Sequence, residues 1–187
     1  MKRTLFLLML SVVVMSIAHN LSSSMPPKNF SWICSTAKSK MAGMAEPACK
    51  EHIAFLGEQN VGLIVTLTKN PLPMDYFVGN TSIKTLHLPI YNMHVPTIEQ
   101  VEEFLRETKE AHQQDKAVVV HCKHGMGRTG TFLACWLIAN EGIDADQAIR
   151  KIRELRNPSI STFEQEQFVK TFHRSRLGVS TKLASGN

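Results

Sequence analysis

The apolar positions of this chain switch between two periods. Val61-Gly62-Leu63-Ile64-Val65-Thr66-Leu67 is a β-branched apolar run bounded by Asn60 and by Asn70-Pro71, and it predicts a buried strand. Lys84 to Pro89 alternates polar with apolar and predicts a second strand. Ala117-Val118-Val119-Val120-His121 is the most apolar of the three and predicts a central one. Elsewhere the spacing is helical. Helices are predicted over Pro47 to Glu58 and over Thr97 to Gln114, where Thr97 caps and Ile98, Val101, Phe104 and Leu105 share a face. Arg128 to Glu141 is apolar on most sides and stops at Gly142, so this helix is expected inside the molecule. Asp144 to Arg156 is amphipathic and stops before Pro158, and Ser161 or Thr162 caps a last helix reaching about Leu177. Pro26 to Trp32 reads as an extended lead-in. Strands alternating with helices, then a helical C-terminal half, predict a three-layer α/β domain.

The front of the chain stands apart from this pattern. Met1-Lys2-Arg3, the apolar stretch Leu5 to Ala18 and the small residues Ser16-Ile17-Ala18 have the layout of a secretory signal peptide. The stretch is about six residues short of the roughly 20 that span a bilayer as a helix, so no stable membrane span is expected. Met25 offers a second start just ahead of the globular pattern. The expected organisation is a leader over 1–24, a domain over 25–177 and a flexible tail over 178–187. A chain of 187 residues with 43% hydrophobic content supports one buried core and is short for two. A monomer is expected. The balance of 21 basic against 16 acidic residues gives +5, a mild attraction for anions that falls well short of a nucleic-acid-binding composition. Without Lys2 and Arg3 it is 19 against 16, or +3, so most of the basicity belongs to the domain. Cys34, Cys49, Cys122 and Cys135 form no Cys-x-x-Cys pair, and neither a disulfide scaffold nor a structural zinc site is expected.

Chemistry concentrates between the most apolar strand and the most apolar helix, in His121-Cys122-Lys123-His124-Gly125-Met126-Gly127-Arg128-Thr129-Gly130. A loop running from a buried strand into a helix N-terminus aims successive backbone N–H groups at one spot and adds the positive end of the helix dipole. Such a spot favours a tetrahedral dianion. Glycines at 125, 127 and 130 let the loop curl and keep side chains out of the cradle. Cys122 lies at its base, where the same groups stabilise a thiolate and make it a nucleophile near neutral pH. Arg128, six residues on, offers a guanidinium fork for phosphate oxygens. Thr129 supplies a hydroxyl to help the sulfur leave, and His121, directed away from the loop, is expected to orient Cys122 rather than act as a base. A nucleotide-binding loop is excluded because no Gly-Lys-Ser/Thr follows. A metal cluster of His121, Cys122 and His124 is disfavoured, since adjacent strand residues point to opposite faces.

On these residues the chain resembles the cysteine-dependent protein tyrosine phosphatase superfamily, and more closely its small atypical dual-specificity phosphatases, the phosphatase-23 type among them. The likeness runs from Pro26 to Arg174. It includes Pro27-Lys28-Asn29-Phe30-Ser31-Trp32, Met41 to Ala45, Val65 to Thr68, Thr129 to Cys135, Ile149 to Arg156 and Ser159 to Glu166. The resemblance implies a phosphatase-like fold with a central, mostly parallel mixed sheet flanked by helices. It implies Cys122 as phosphocysteine nucleophile, with Arg128 and the backbone of Lys123, His124, Gly125, Met126 and Gly127 as phosphate cradle. It also implies a shallow pocket for phosphotyrosine and phosphoserine/threonine, no metal or other cofactor, and Gln165 as a positioner of the hydrolytic water. The implied partner is a phosphorylated protein.

One departure stands out. Relatives carry an aspartate general acid just past a Leu/Ile-Pro pair, whereas here Leu88-Pro89 is followed by Ile90-Tyr91-Asn92-Met93-His94. A positioned acid contributes about 10²–10⁴ in rate. His94 is the candidate replacement; Glu99 or Asp75 swinging in, or a slow enzyme without an acid, are the alternatives. Ser161 also stands where the phosphatase-23 type carries a glutamate. The expected activity is hydrolysis of protein phosphoesters; the rivals are a phosphate-binding pseudophosphatase and a phosphatase of non-protein esters. A cysteine that must stay reduced fits the cytoplasm, with the nucleus also open, and favours the start at Met25; a secretory location is the alternative if residues 1–18 act as a signal.

Overall fold

The computed structural model describes residues 24–36, 39–79 and 82–184. The leader read over 1–24 therefore lies almost wholly outside the described residues. The elements are β1 (Ser31–Thr36), β2 (Ser39–Ala45), α1 (Lys50–Glu58), β3 (Val61–Thr66), a short 3₁₀ turn (Met74–Phe77), β4 (Lys84–His87), α2 (Ile98–Gln113), β5 (Ala117–Cys122), α3 (Gly127–Glu141), α4 (Ala145–Leu155) and α5 (Phe163–Ala184). No helix among the described residues is long and apolar enough to cross a membrane.

The five strands form one sheet in the order β1-β2-β5-β3-β4, with β5 central as its composition predicts. β5 pairs in parallel with β2 (Met41 opposite Val118, Ala45 opposite Cys122) and with β3 (Thr66 opposite His121), and β3 pairs in parallel with β4. Among the described residues only β1 and β2 pair antiparallel. The sheet is therefore mixed and mostly parallel.

Alternation along β5 splits the core in two. Val118, Val120 and Cys122 face the helices of the C-terminal half, packing with Phe104, Phe132, Leu133 and Phe172. Ala117 and Val119 face the other side, with Ile53, Leu56, Ile64 and Met44. Burial on both faces is what a continuous Val-rich run requires, and the layers follow from it. α3 sits in the middle of the larger half, with every residue from Arg128 to Ile138 buried, and Gly142 ends it at φ 67° in the left-handed region.

Two findings differ from the sequence pattern. β1 and β2 were not predicted as strands: Met41-Ala42-Gly43-Met44-Ala45 lacks β-branched residues, a weak preference that pairing with β5 overrides, and β1 forms by pairing antiparallel with β2. The last helix continues to Ala184, past the expected stop at Leu177, so residues 178–184 of the segment read as flexible tail are helical. A lone glycine at 178 costs only about 1 kcal/mol and does not end a helix.

The helix starts follow the caps expected. Thr97 and Asp144 each form a full capping box, with Gln100 and Gln147 respectively, and the Thr162 hydroxyl accepts the Gln165 amide at 3.2 Å. Asp144→Ala is expected to lower unfolding free energy by about 1 kcal/mol in urea titrations, without altering the geometry around Cys122.

Candidate active site

Cys122 ends β5, residues 123–126 form the loop, and Gly127 opens α3. Three successive carbonyls of this loop are held from outside. The Glu46 amide donates to the Lys123 oxygen at 3.4 Å, the Asn29 side-chain amide to the His124 oxygen at 3.1 Å, and Arg156 Nη2 to the Gly125 oxygen at 2.7 Å. With the carbonyls drawn outward, the loop amides turn toward the sulfur, and those of Gly125 and Thr129 interact with it. Gly125 is obligatory here: its φ is +73°, and a Cβ would lie 2.3 Å from the Met44 oxygen.

Cys122 is buried, and burial by itself would push its thiol up. The Thr129 hydroxyl and amide, the Arg128 charge and the Gly125 amide outweigh that and hold it below the ordinary thiol range. The Thr129 hydroxyl is itself buried and has no other partner of full hydrogen-bond geometry. Cys135, wholly buried in α3, has its thiol pushed far up and is inert core.

Arg128 is 7% exposed. Its Nη1 donates to the Ile90 oxygen at 2.8 Å and the Leu67 oxygen at 3.3 Å, and its Nη2 to Asn92 Oδ1 at 3.4 Å. All of these acceptors are neutral, so no carboxylate offsets the guanidinium charge that faces the sulfur.

The groups enclose a cavity of about 120 Å³ lined by Cys122, His124, Met126, Gly127, Arg128, Asn92, Met93, Ser161 and Gln165. Larger depressions of 1010 and 780 Å³ do not include Cys122. The second adjoins the site, sharing His124 and Met126 with it. Lys123 turns its side chain into that neighbour, where it pairs with Glu46 at 2.6 Å; only its backbone belongs to the cradle.

Gln165 reaches the cavity and lies over Gly127, with its Oε1 accepting from the Ser161 amide at 2.9 Å and its Nε2 donating to the His94 oxygen at 3.3 Å. His94 itself is exposed and does not line the cavity; its Nδ1 pairs with the Asn92 oxygen at 2.9 Å. Ile90, at the place of the expected aspartate, buries its side chain in the core. No group of three or more His, Cys, Asp or Glu arranged for a metal occurs among the described residues.

His121 is fully buried, with its Nε2 2.9 Å from the Thr66 hydroxyl. Burial lowers its pKa to about 4, opposed by the Cys122 backbone, so the ring beside Cys122 is neutral at pH 7.

Arg156 and Asn92 were not found from sequence. Arg156 is 4% exposed, bonds Ser31, Gly43 (2.8 Å) and Gly125, and has its pKa lowered by burial to about 10. Nothing local marks it, because all three partners are distant in the chain. Asn92 lies in the loop after Leu88-Pro89, where an amide carries no sequence mark of a role.

A strand-to-helix cradle with a lowered-pKa cysteine at its base and a buried arginine at its rim defines a cysteine-dependent phosphatase domain. Residues 27–169 match the family described as Swiss Army Knife protein, DSP-PTPase phosphatase domain, and the chain belongs to that family. Its relatives include the tyrosine-protein phosphatase CDC14 of Candida albicans, 29% identical over 146 residues, covering 78% of this chain and 26% of the relative. The tyrosine-protein phosphatase cdcA of Emericella nidulans is 33% identical over 107 residues, covering 57% of this chain and 17% of that protein. The chain thus spans about a quarter or less of these fungal proteins. Among solved structures, Tk-PTP in the active form is 26% identical with a TM-score of 0.67, covering 78% of this chain and 97% of that one. PTPMT1 shares the fold with a TM-score of 0.70 at 22% identity, covering 82% of this chain and 99% of that one. These proteins do not single out the phosphatase-23 type.

The buried neutral His121 makes stability depend on pH. Below its unfolded pKa of about 6.5 the unfolded chain takes up a proton that the native ring refuses. Its contribution is full above pH 6.5 and is lost as pH falls to about 4, by up to roughly 3 kcal/mol. In a Cys122→Ser background, which removes the thiol titration, urea midpoints are expected to fall across this window and to fall less steeply when His121→Gln is added.

Proposed function

We propose that this domain is a phosphatase that hydrolyses phosphotyrosine and phosphoserine/threonine in proteins through a phosphocysteine intermediate. The carrying observation is the Cys122 thiolate facing an Arg128 whose acceptors are all neutral. The guanidinium borders the cavity and donates to neutral oxygens, so phosphate oxygens exchange with weak acceptors rather than compete with a carboxylate.

The thiolate attacks phosphorus in line with the departing oxygen. The loop amides and Arg128 hold the three equatorial oxygens as their charge redistributes. Thr129 then stabilises the sulfur as it leaves, and Gln165, already at the cavity wall, orients the attacking water. The cavity of about 120 Å³ accommodates a phosphoryl group while the side chain carrying it projects outward, which suits phosphoesters on both aryl and alkyl stems. The domain acts as a monomer without cofactor, in a reducing compartment such as the cytoplasm or nucleus, where a low-pKa thiol stays unoxidised.

Phosphate release from p-nitrophenyl phosphate tests the reading: Cys122→Ser is expected to abolish turnover and Arg128→Lys to lower it by about 10²–10³. Retained phosphopeptide binding without Cys122-dependent turnover would identify a binding module instead. Because Ile90 takes no part in proton transfer, aryl phosphates are expected to be preferred over alkyl phosphates by a wider margin than in a relative bearing the aspartate. Equal kcat/KM on phosphotyrosine and phosphoserine peptides would contradict that.

A further inference from the structure

Cleavage of a phosphoester leaves an oxygen that needs a proton, and the usual donor position is closed in this fold. Ile90 is 5% exposed with its side chain in the core. Its amide donates to the Leu67 oxygen at 3.2 Å and its carbonyl accepts from Arg128 at 2.8 Å, so both ends of that turn are tied. No Asp or Glu lines the 120 Å³ cavity. Of the side chains that do, Cys122 is the nucleophile and Arg128 keeps its proton. Apart from His124, the rest are amides, thioethers, a hydroxyl and a glycine, none of which gives up a proton near neutral pH.

We infer that His124 is the general acid of this enzyme, donating a proton to the leaving oxygen from the mouth of the cradle. The inference rests on the phosphatase reading above. His124 lines both the catalytic cavity and the adjoining 780 Å³ depression, which offers room for a substrate's stem beyond the cradle. Its backbone is held by Asn29 at 3.1 Å, and the next residue by Arg156 at 2.7 Å, so the ring is carried on a rigid segment. The ring is exposed and pairs with no described residue, which leaves both nitrogens able to exchange protons with water and substrate. His94 differs on each point, with its Nδ1 engaged by Asn92 and its ring edge-on to Tyr91 outside the cavity lining.

The charged and titratable groups facing His124 are Cys122 and Arg128 on the cavity side and Lys28, Glu46, His52, Tyr76 and Lys123 on the other. Lys123 and Glu46 neutralise one another at 2.6 Å. A bound phosphate dianion then becomes the dominant charge beside the ring.

The step balances. As the Cys122 sulfur forms its bond to phosphorus, the P–O bond to the leaving group breaks, and that oxygen takes the proton of the His124 imidazolium, giving a free hydroxyl and a neutral imidazole. In the second step the imidazole accepts a proton from the attacking water. The new oxygen bonds to phosphorus, the S–P bond breaks, and thiolate, inorganic phosphate and imidazolium result.

The test compares His124→Asn and His94→Ala with wild type on p-nitrophenyl phosphate and on a phosphoserine peptide across pH. An activated aryl leaving group needs little protonation, whereas an alkoxide needs it fully. His124→Asn is expected to lower kcat on the phosphoserine peptide by about 10²–10³ and on p-nitrophenyl phosphate by less than about tenfold, and to remove the basic limb of the alkyl kcat profile. His94→Ala is expected to leave the ratio of the two substrates unchanged. Equal losses on both substrates, an intact ratio in His124→Asn, or loss of the basic limb in His94→Ala would overturn the proposal. Thiol alkylation by iodoacetate, with its pH midpoint unchanged in His124→Asn, shows that the cradle is intact and the loss chemical. Absence of Cys122-dependent turnover in the wild type on either substrate would instead overturn the phosphatase reading, and the proposal with it.

Discussion

The site depends on the direction in which three consecutive carbonyls point. A peptide loop left to itself exposes N–H and C=O groups in alternation, and a mixed lining would repel a dianion as much as attract it. Here the oxygens of Lys123, His124 and Gly125 are drawn outward by donors from three other places in the chain. Arg156 is the strongest of these. It is buried, charged and shared between the two edge-side strands and the loop, and Gly43 has no side chain because the guanidinium passes within 2.9 Å of where a Cβ would stand. Removing such a group leaves buried acceptors unpaired, which costs about 1–3 kcal/mol each.

That arrangement resolves a conflict at Cys122. Burial favours the neutral thiol, yet catalysis needs the thiolate. Oriented amides, the Thr129 hydroxyl and the Arg128 charge overcome the desolvation without any opposing carboxylate being brought in. The same economy of acidic groups extends across the cavity, whose lining holds Ser161, Asn92 and Gln165 but no Asp or Glu. The result is an electropositive cradle well suited to holding phosphate.

The chemical core of the site was legible because it is local. His121, Cys122, Arg128 and Thr129 lie on one strand-loop-helix unit, and a helix N-terminus after a glycine loop has one physical use for a cysteine and an arginine so spaced. Most of the elements were legible for the same reason, since Val-rich runs, capping boxes and the glycine stop of α3 act within a few residues. β2 was not, because Met, Ala and Gly carry little strand preference and a pairing partner more than seventy residues away decides its conformation, and β1 follows by pairing with β2.

Sequence alone located the strand-loop-helix unit that carries Cys122 and Arg128 and indicated the layered α/β architecture, both consequences of periodicity and neighbouring residues. Tertiary structure decided which distant groups turn the loop carbonyls outward, that Ile90 is sealed in the core, that His94 faces solvent and that His124 stands at the cavity mouth. These are statements about where a side chain points relative to another segment. Pattern along the chain cannot carry them, because orientation at a site is set by contacts among residues that only packing of the sheet against its helices brings together.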